Sequence, residues 1–242
     1  MYFGREKMKN YRMNAKMTGI LYFLGTVFGI MSTIFGGKVI SSIVETRPLS
    51  NETMFQLITT ETSGLLWGAI FILLMGISLV GMTVFLYPVI KRDSEELAMG
   101  MLLFRGVMEG IWYFLTTVSV ILLFVIGNQY LNNSTDQTIQ MSIASIIYGF
   151  QDLLGPVGTI LFLIGATCIY ISFYKTKLIP RWLSIWGLVG VVPYMAYAIL
   201  HLFGKDSGIG FYLQMILAPQ EIIMAFWLII KGFNISTKNL EK

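Results

Sequence analysis

Six apolar stretches, each close to the length needed to cross a bilayer, leave this chain of 242 residues few folds to choose from. They run roughly over residues 17–35, 63–87, 97–125, 153–174, 182–202 and 210–230. A hydrocarbon core about 30 Å thick takes about 20 helical residues to span. Backbone inside it must satisfy its own hydrogen bonds, which a helix does. The spacing therefore predicts an all-α polytopic bundle of six transmembrane helices, in one integral membrane domain over residues 1–242. Composition agrees. Hydrophobic residues make up 55% and charged residues only 12%, where soluble domains carry about 25% charge. The mean hydropathy is +0.71.

Charge placement sets the expected orientation. Arg5, Lys7, Lys9, Arg12 and Lys16 precede the first apolar run, as in a signal peptide. The run from Met17 to Phe35 is longer than a signal core of about 7–15 residues, so it reads as a retained anchor. Thirteen of the seventeen Lys and Arg residues fall in the N-terminal segment, the 88–96 and 175–181 loops and the C-terminal tail. The positive-inside rule then puts both termini in the cytoplasm of a multi-pass cell-membrane protein. Trp182, Trp186 and Trp227 would lie towards that interface. The net charge of +4 reports orientation, not a nucleic-acid partner. One Cys and one His exclude a disulfide framework, a thiolate cluster and a multi-histidine metal site. No metal or cofactor is expected. The expected partners are bilayer lipid and a small-molecule or proton ligand.

Two loops between spans carry pattern. Residues 38–62 are the longest, with Glu45, Glu52 and Glu61. In 139–154, Ile143, Ile146, Ile147, Phe150, Leu153 and Leu154 recur at helical spacing. This predicts a short amphipathic outer helix at the interface, bent or broken from the fourth span at Gly155-Pro156. Gly25/Gly29, Gly64/Gly68 and Gly106/Gly110 are GxxxG pairs, which predict close helix contacts and allow an oligomer.

The third stretch carries Arg105 and Glu109, four residues apart and so on one helix face. A charge near the bilayer centre costs about 2.5–3.5 kcal/mol on insertion scales, and such residues mark sites or pairs. By helical rise, Arg105 lies about 12 Å and Glu109 about 18 Å beyond Leu97, and Glu221 about 15 Å from Lys231. All three reach the middle of the membrane. Fully ionised they sum to −1, so a proton or a bound cation must balance them. Gln214 shares the helix face of Glu221, and Pro219 between them frees the Met215 carbonyl, as in the interrupted helices that line transporter sites. Tyr113 follows Glu109 by one turn. Tyr194, Tyr197 and His201 share a face of the fifth span, and Asp152 precedes Gly155-Pro156. These are secondary candidates, with a satisfied structural histidine and a helix cap as the plainer readings of His201 and Asp152. Likewise, Arg105 and Glu109 could merely lock helix packing.

No HExxH, P-loop or GxSxG motif is present, so no catalytic residue is assigned. The leading expectation is a small permease or ligand-binding membrane protein with a midplane site, proton-coupled. A membrane enzyme acting on a lipid-like substrate and a structural or sensory subunit stand as alternatives.

Four motifs carry a resemblance: Leu86–Arg92 (LYPVIKR), Phe104–Ile111 (FRGVMEGI), Leu178–Gly190 (LIPRWLSIWGLVG) and Gln220–Phe233 (QEIIMAFWLIIKGF). Together they resemble the bacterial membrane family catalogued as domain of unknown function 4386, over nearly the whole chain. The resemblance implies a multi-span plasma-membrane protein. It brings no activity or cofactor with it. Arg105, Glu109 and Glu221 fall within these motifs.

Overall fold

The computed structural model describes residues 2–44, 49–131, 136–205 and 210–234. Among them the elements are all helical: α1 (Tyr2–Val44), α2 (Asn51–Thr60), α3 (Thr62–Ile90), α4 (Glu95–Met101), a π-helical segment (Leu102–Met108), α5 (Glu109–Leu131), α6 (Gln137–Thr176), α7 (Arg181–Leu202) and α8 (Gly210–Ile230). Six helices are long and apolar enough to cross a membrane: Asn10–Ile43, Thr62–Ile90, Glu95–Leu131, Gln137–Thr176, Arg181–Leu202 and Tyr212–Ile230. Each contains or nearly coincides with one expected span. The third is α4, the π segment and α5 in one line.

Helices adjacent in sequence pack side by side. α1 lies on α3, α3 on α5, α5 on α6, α6 on α7 and α7 on α8, and α8 closes back on α1. The result is a closed ring of six spans. Glycine sets the closest approaches. Gly25 and Gly29 of α1 admit Leu79 and Met75 of α3, and Gly64 abuts the backbone of Phe35 and Gly36. Gly106 and Gly110 admit Thr83 and Val80. All three GxxxG pairs thus serve contacts within the chain. Large apolar side chains such as Ile34, Ile77, Val84, Phe114 and Val192 cover the outside of the ring, as a lipid-facing surface requires. Inside are two apolar cores. One, around Tyr22, Met82, Met101, Ala166 and Phe173, fills the half towards the chain termini. The other, around Ile58, Leu65, Val120 and Tyr148, fills the far half. The charged cluster lies between them.

Two expectations need correction. Residues 139–154 are helical, but they are not a separate interfacial element: they are the first part of α6, one unbroken helix through Gly155-Pro156. The carbonyl that Pro156 leaves without its helical donor is that of Asp152; in the same turn the Trp112 indole donates to the Leu154 carbonyl at 2.9 Å. Membrane helices carry proline without breaking where local adjustment and neighbouring helices compensate. The inward positions Ala144 and Tyr148 pack with Met54, Phe55 and Ile58 of α2, while Ile143, Ile146, Phe150 and Leu153 of the apolar repeat are exposed on the outside. The short separate helix on the far side is α2 itself, in the long loop. Ser50 caps it by accepting from the Thr53 N–H. Before that loop α1 kinks at Gly37, whose φ of 74° belongs to the left-handed region. There the Glu61 carboxylate accepts from the Lys38 N–H at 2.8 Å.

Candidate functional site

Arg105 sits in the π-helical segment, where the third span is pinched between two neighbours. On one side a Cβ at Gly165 of α6 would come within 2.6 Å of the Arg105 backbone nitrogen. On the other, a Cβ at Gly106 would come within 2.9 Å of the Thr83 hydroxyl of α3. Only glycine permits both approaches. The widened turn of a π segment recurs at functional sites in membrane and soluble helices alike. Here it sets Arg105 into the middle of the ring.

The Arg105 guanidinium is the hub of the interior. Its Nη1 donates to both oxygens of Glu109, at 2.8 and 2.9 Å. Its Nη2 donates to the Tyr22 hydroxyl at 3.1 Å, and Tyr22 in turn donates to Glu221 Oε1 at 2.6 Å. Nη2 and that same carboxylate oxygen are 3.8 Å apart. The Phe162 ring covers the guanidinium at 4.3 Å, a cation–π contact that favours the charged form. The Nε is buried without an acceptor among the described residues. Arg105 and Glu109 are 2% and 1% exposed, whereas the Glu221 side chain keeps 17%. The pair is therefore closed and the third charge is the accessible one.

The remaining candidates separate into those the cluster includes and those it does not. Tyr113 belongs: its hydroxyl faces the Glu109 carboxylate. Tyr194 stands one layer away, its ring edge on Phe162 at 6.4 Å. Tyr197 and His201 make a separate pair, hydroxyl to Nδ1 at 3.2 Å. The His201 Nε2 lies 3.5 Å from Asp152. Asp152 is thus a mid-helix partner of His201 and not a helix cap. This second cluster sits about 15 Å along α6 from Phe162, by helical rise. Gln214 is half-buried two turns from Glu221 and makes none of the cluster's contacts. The buried amide is Gln220, which accepts from the Tyr170 hydroxyl at 2.9 Å and donates to the Leu183 carbonyl at 3.0 Å. Pro219 and Met215 are exposed on the outer side of α8, so the carbonyl that Pro219 frees belongs to a residue on that side.

A family model matches residues 17–232, from the first span to the turn after the last. The chain belongs to the family described as Domain of unknown function (DUF4386). No curated protein and no solved structure matches it. The DUF4386 region holds the entire cluster, from Tyr22 on the first span to Glu221 on the sixth.

Within that region the sequence concealed Tyr22, Phe162, Tyr170 and Gln220. Tyr22 had a usable signal. It lies about 9 Å beyond Lys16 by helical rise, comparable in depth to Arg105, and it has Thr18 one turn before it. Phe162 and Tyr170 had none, since aromatic residues in an apolar span read as packing. α8 reaches the third span only through side chains: its packing neighbours are α1 and α7, and Tyr22 bridges the gap.

Proposed function

We propose that this DUF4386 protein is a small membrane permease or solute-binding protein of the cell membrane, with both termini cytoplasmic, whose site is the Arg105–Glu109–Glu221 cluster. One observation supports this above the others. Two carboxylates on different spans converge on a single guanidinium inside a six-helix ring. Arg105 balances one of them. The second, Glu221, must take a proton or a cation, since an uncompensated charge in the membrane interior is costly. It is also the more exposed of the two. Tyr22 links the two states: it donates to Glu221 Oε1, a charge-assisted hydrogen bond that weakens when the carboxylate gains a proton. Loading and unloading Glu221 is thereby coupled to contacts between α1, α8 and the third span, the arrangement a proton-coupled permease needs.

The test is a pH jump on proteoliposomes carrying the full chain, read as charge displacement on a supported membrane. The wild type should give a transient current that Glu221→Gln abolishes while its thermal unfolding stays cooperative. Unchanged currents in both Glu221→Gln and Glu109→Gln would overturn the reading. The closure of the Arg105–Glu109 pair favours a second reading, a packing lock in a structural or sensory subunit. That reading gains if Glu109→Gln unfolds the protein and Glu221→Gln is silent.

A further inference from the structure

The far half of the ring is not apolar throughout. Its core is built from α1, α2, α3, α5 and the start of α6, with no residue of α7 or α8 among the described ones. Beyond Val191 the buried residues of α7 are Tyr197, Ala198 and His201. Tyr194, Tyr197 and His201 share one face of α7, and Asp152, Thr159 and Phe162 share one face of α6. His201 meets Asp152 across this seam, Nε2 to Oδ1 at 3.5 Å. The other ring nitrogen, Nδ1, lies 3.2 Å from the Tyr197 hydroxyl. One turn further in, the Tyr194 ring lies 6.4 Å from that of Phe162, and Phe162 covers the Arg105 guanidinium at 4.3 Å. By helical rise, His201 is about 30 Å from Arg181 and Asp152 about 36 Å from Thr176, at the far edge of a core about 30 Å thick. Tyr194 and Phe162, at about 20 and 21 Å from the same two residues, reach a depth close to that of Glu109. Accessibility falls along this line, from 35% for the Asp152 side chain to 6% for that of His201.

We propose that the α6–α7 seam is the far-side proton route to the cluster, with Asp152 and His201 as its uptake site. The proposal rests on the reading of Glu221 as a proton-loading group and adds the path by which the far side reaches it. Histidine suits the uptake step because it titrates near neutral pH and its two nitrogens are distinct. Here one faces the accessible carboxylate and the other faces the interior. A proton taken up at Nε2 makes the ring cationic. Nδ1 then gives its own proton to the Tyr197 oxygen, and the Tyr197 hydroxyl proton moves on towards Tyr194 and the cluster. The ring and both tyrosines end neutral. The other titratable groups near His201 face elsewhere: Lys205 and Tyr212 are exposed, and Tyr148 of α6 pairs with Ser42 at 2.8 Å. A seam that served packing alone would need none of this polarity, since buried polar groups cost free energy until each is paired.

The experiment tethers the full chain to an electrode by a C-terminal His tag and rebuilds the bilayer around it, so that the far face meets the solution. A pH jump in that solution is read as the rise of the transient current. His201→Ala and Asp152→Asn should each slow the rise about a hundredfold, the low end of what a positioned acid–base group contributes. Imidazole added to the jump buffer should restore the fast rise in His201→Ala, which a lost packing contact would not allow. Asp152→Asn keeps its shape at a partly exposed position, and so guards against a variant that merely misfolds. Wild-type rates in both variants would overturn the route and leave the Glu221 reading standing, provided that Glu221→Gln still abolishes the current. Slowing of His201→Ala that imidazole does not relieve would make His201 a packing residue and overturn the route as well. A wild type without current would overturn both the route and the reading it rests on.

Discussion

Tyr22 is the residue on which three spans depend at once. Its hydroxyl accepts from Arg105 and donates to Glu221, so Tyr22→Phe leaves a donor and an acceptor unmatched in the interior. An unsatisfied buried polar group costs about 1–3 kcal/mol, and unfolding of the purified variant should show a loss in that range. Removing Arg105 is harsher. Arg105→Met strands two carboxylates, and breaking a buried pair costs about 3–5 kcal/mol. The double variant Arg105→Met/Glu109→Gln should recover part of that loss, because the neutralised partner no longer needs a cation. A double-mutant cycle on unfolding free energies measures the difference; strict additivity would mean the pair is not coupled. At this scale the sequence was readable where charge was involved. The spacing of Arg105 and Glu109 gave their pairing, and counting depth brought Glu221 to the same level. Hydroxyls and rings carry no such flag, and sharing the helix face of Glu221 singles out Gln214, which is only half-buried, where the buried amide is Gln220.

α6 shows how far periodicity reaches for an element. The apolar repeat over 139–154 was correctly helical. A proline after a glycine reads as its end, yet the helix runs on through both, with Trp112 of another span packed and hydrogen-bonded in that turn. The same span explains why glycine is required along α6. At Gly158 a Cβ would collide with the Trp112 indole, and at Gly165 with the Arg105 backbone. Gly158→Ala and Gly165→Ala should each destabilise the protein by about 1–3 kcal/mol, the range for overpacking. At Gly155 a Cβ meets nothing within 4 Å. Gly155→Ala should be neutral or stabilise by up to about 1 kcal/mol, through helix propensity. Unfolding of the three variants under one condition checks the order. The π segment could not be anticipated, because it follows from Gly165 and Thr83 arriving from two sides of Arg105, and neither is near it in sequence.

For the whole molecule, the closed ring places both chain ends on one side, and the Lys- and Arg-rich segments share that side with them. Lys91 and Arg92 follow α3, Lys175 and Lys177 end α6, and Lys231 follows α8. α2 lies on the opposite side. Because every span is fixed in the ring, the orientation of one segment decides that of all, and the cation excess predicts that the termini face the cytoplasm. In a Cys168→Ser background, single cysteines at exposed Thr60, Asp93 and Lys177 give the test by labelling intact cells with a membrane-impermeant maleimide. Thr60→Cys should react without lysis, and Asp93→Cys and Lys177→Cys only after it. The reverse pattern would invert the protein, and it would turn the half of the ring beneath Arg105, Tyr170 and Gln220 outward. A mixed pattern would break the ring itself. If the labelling bears out cytoplasmic termini, helical rise puts Glu221 about 15 Å beyond Lys231 and Glu109 about 18 Å beyond Leu97, so a proton reaching Glu221 from the cytoplasmic side would not have to pass the closed ion pair first.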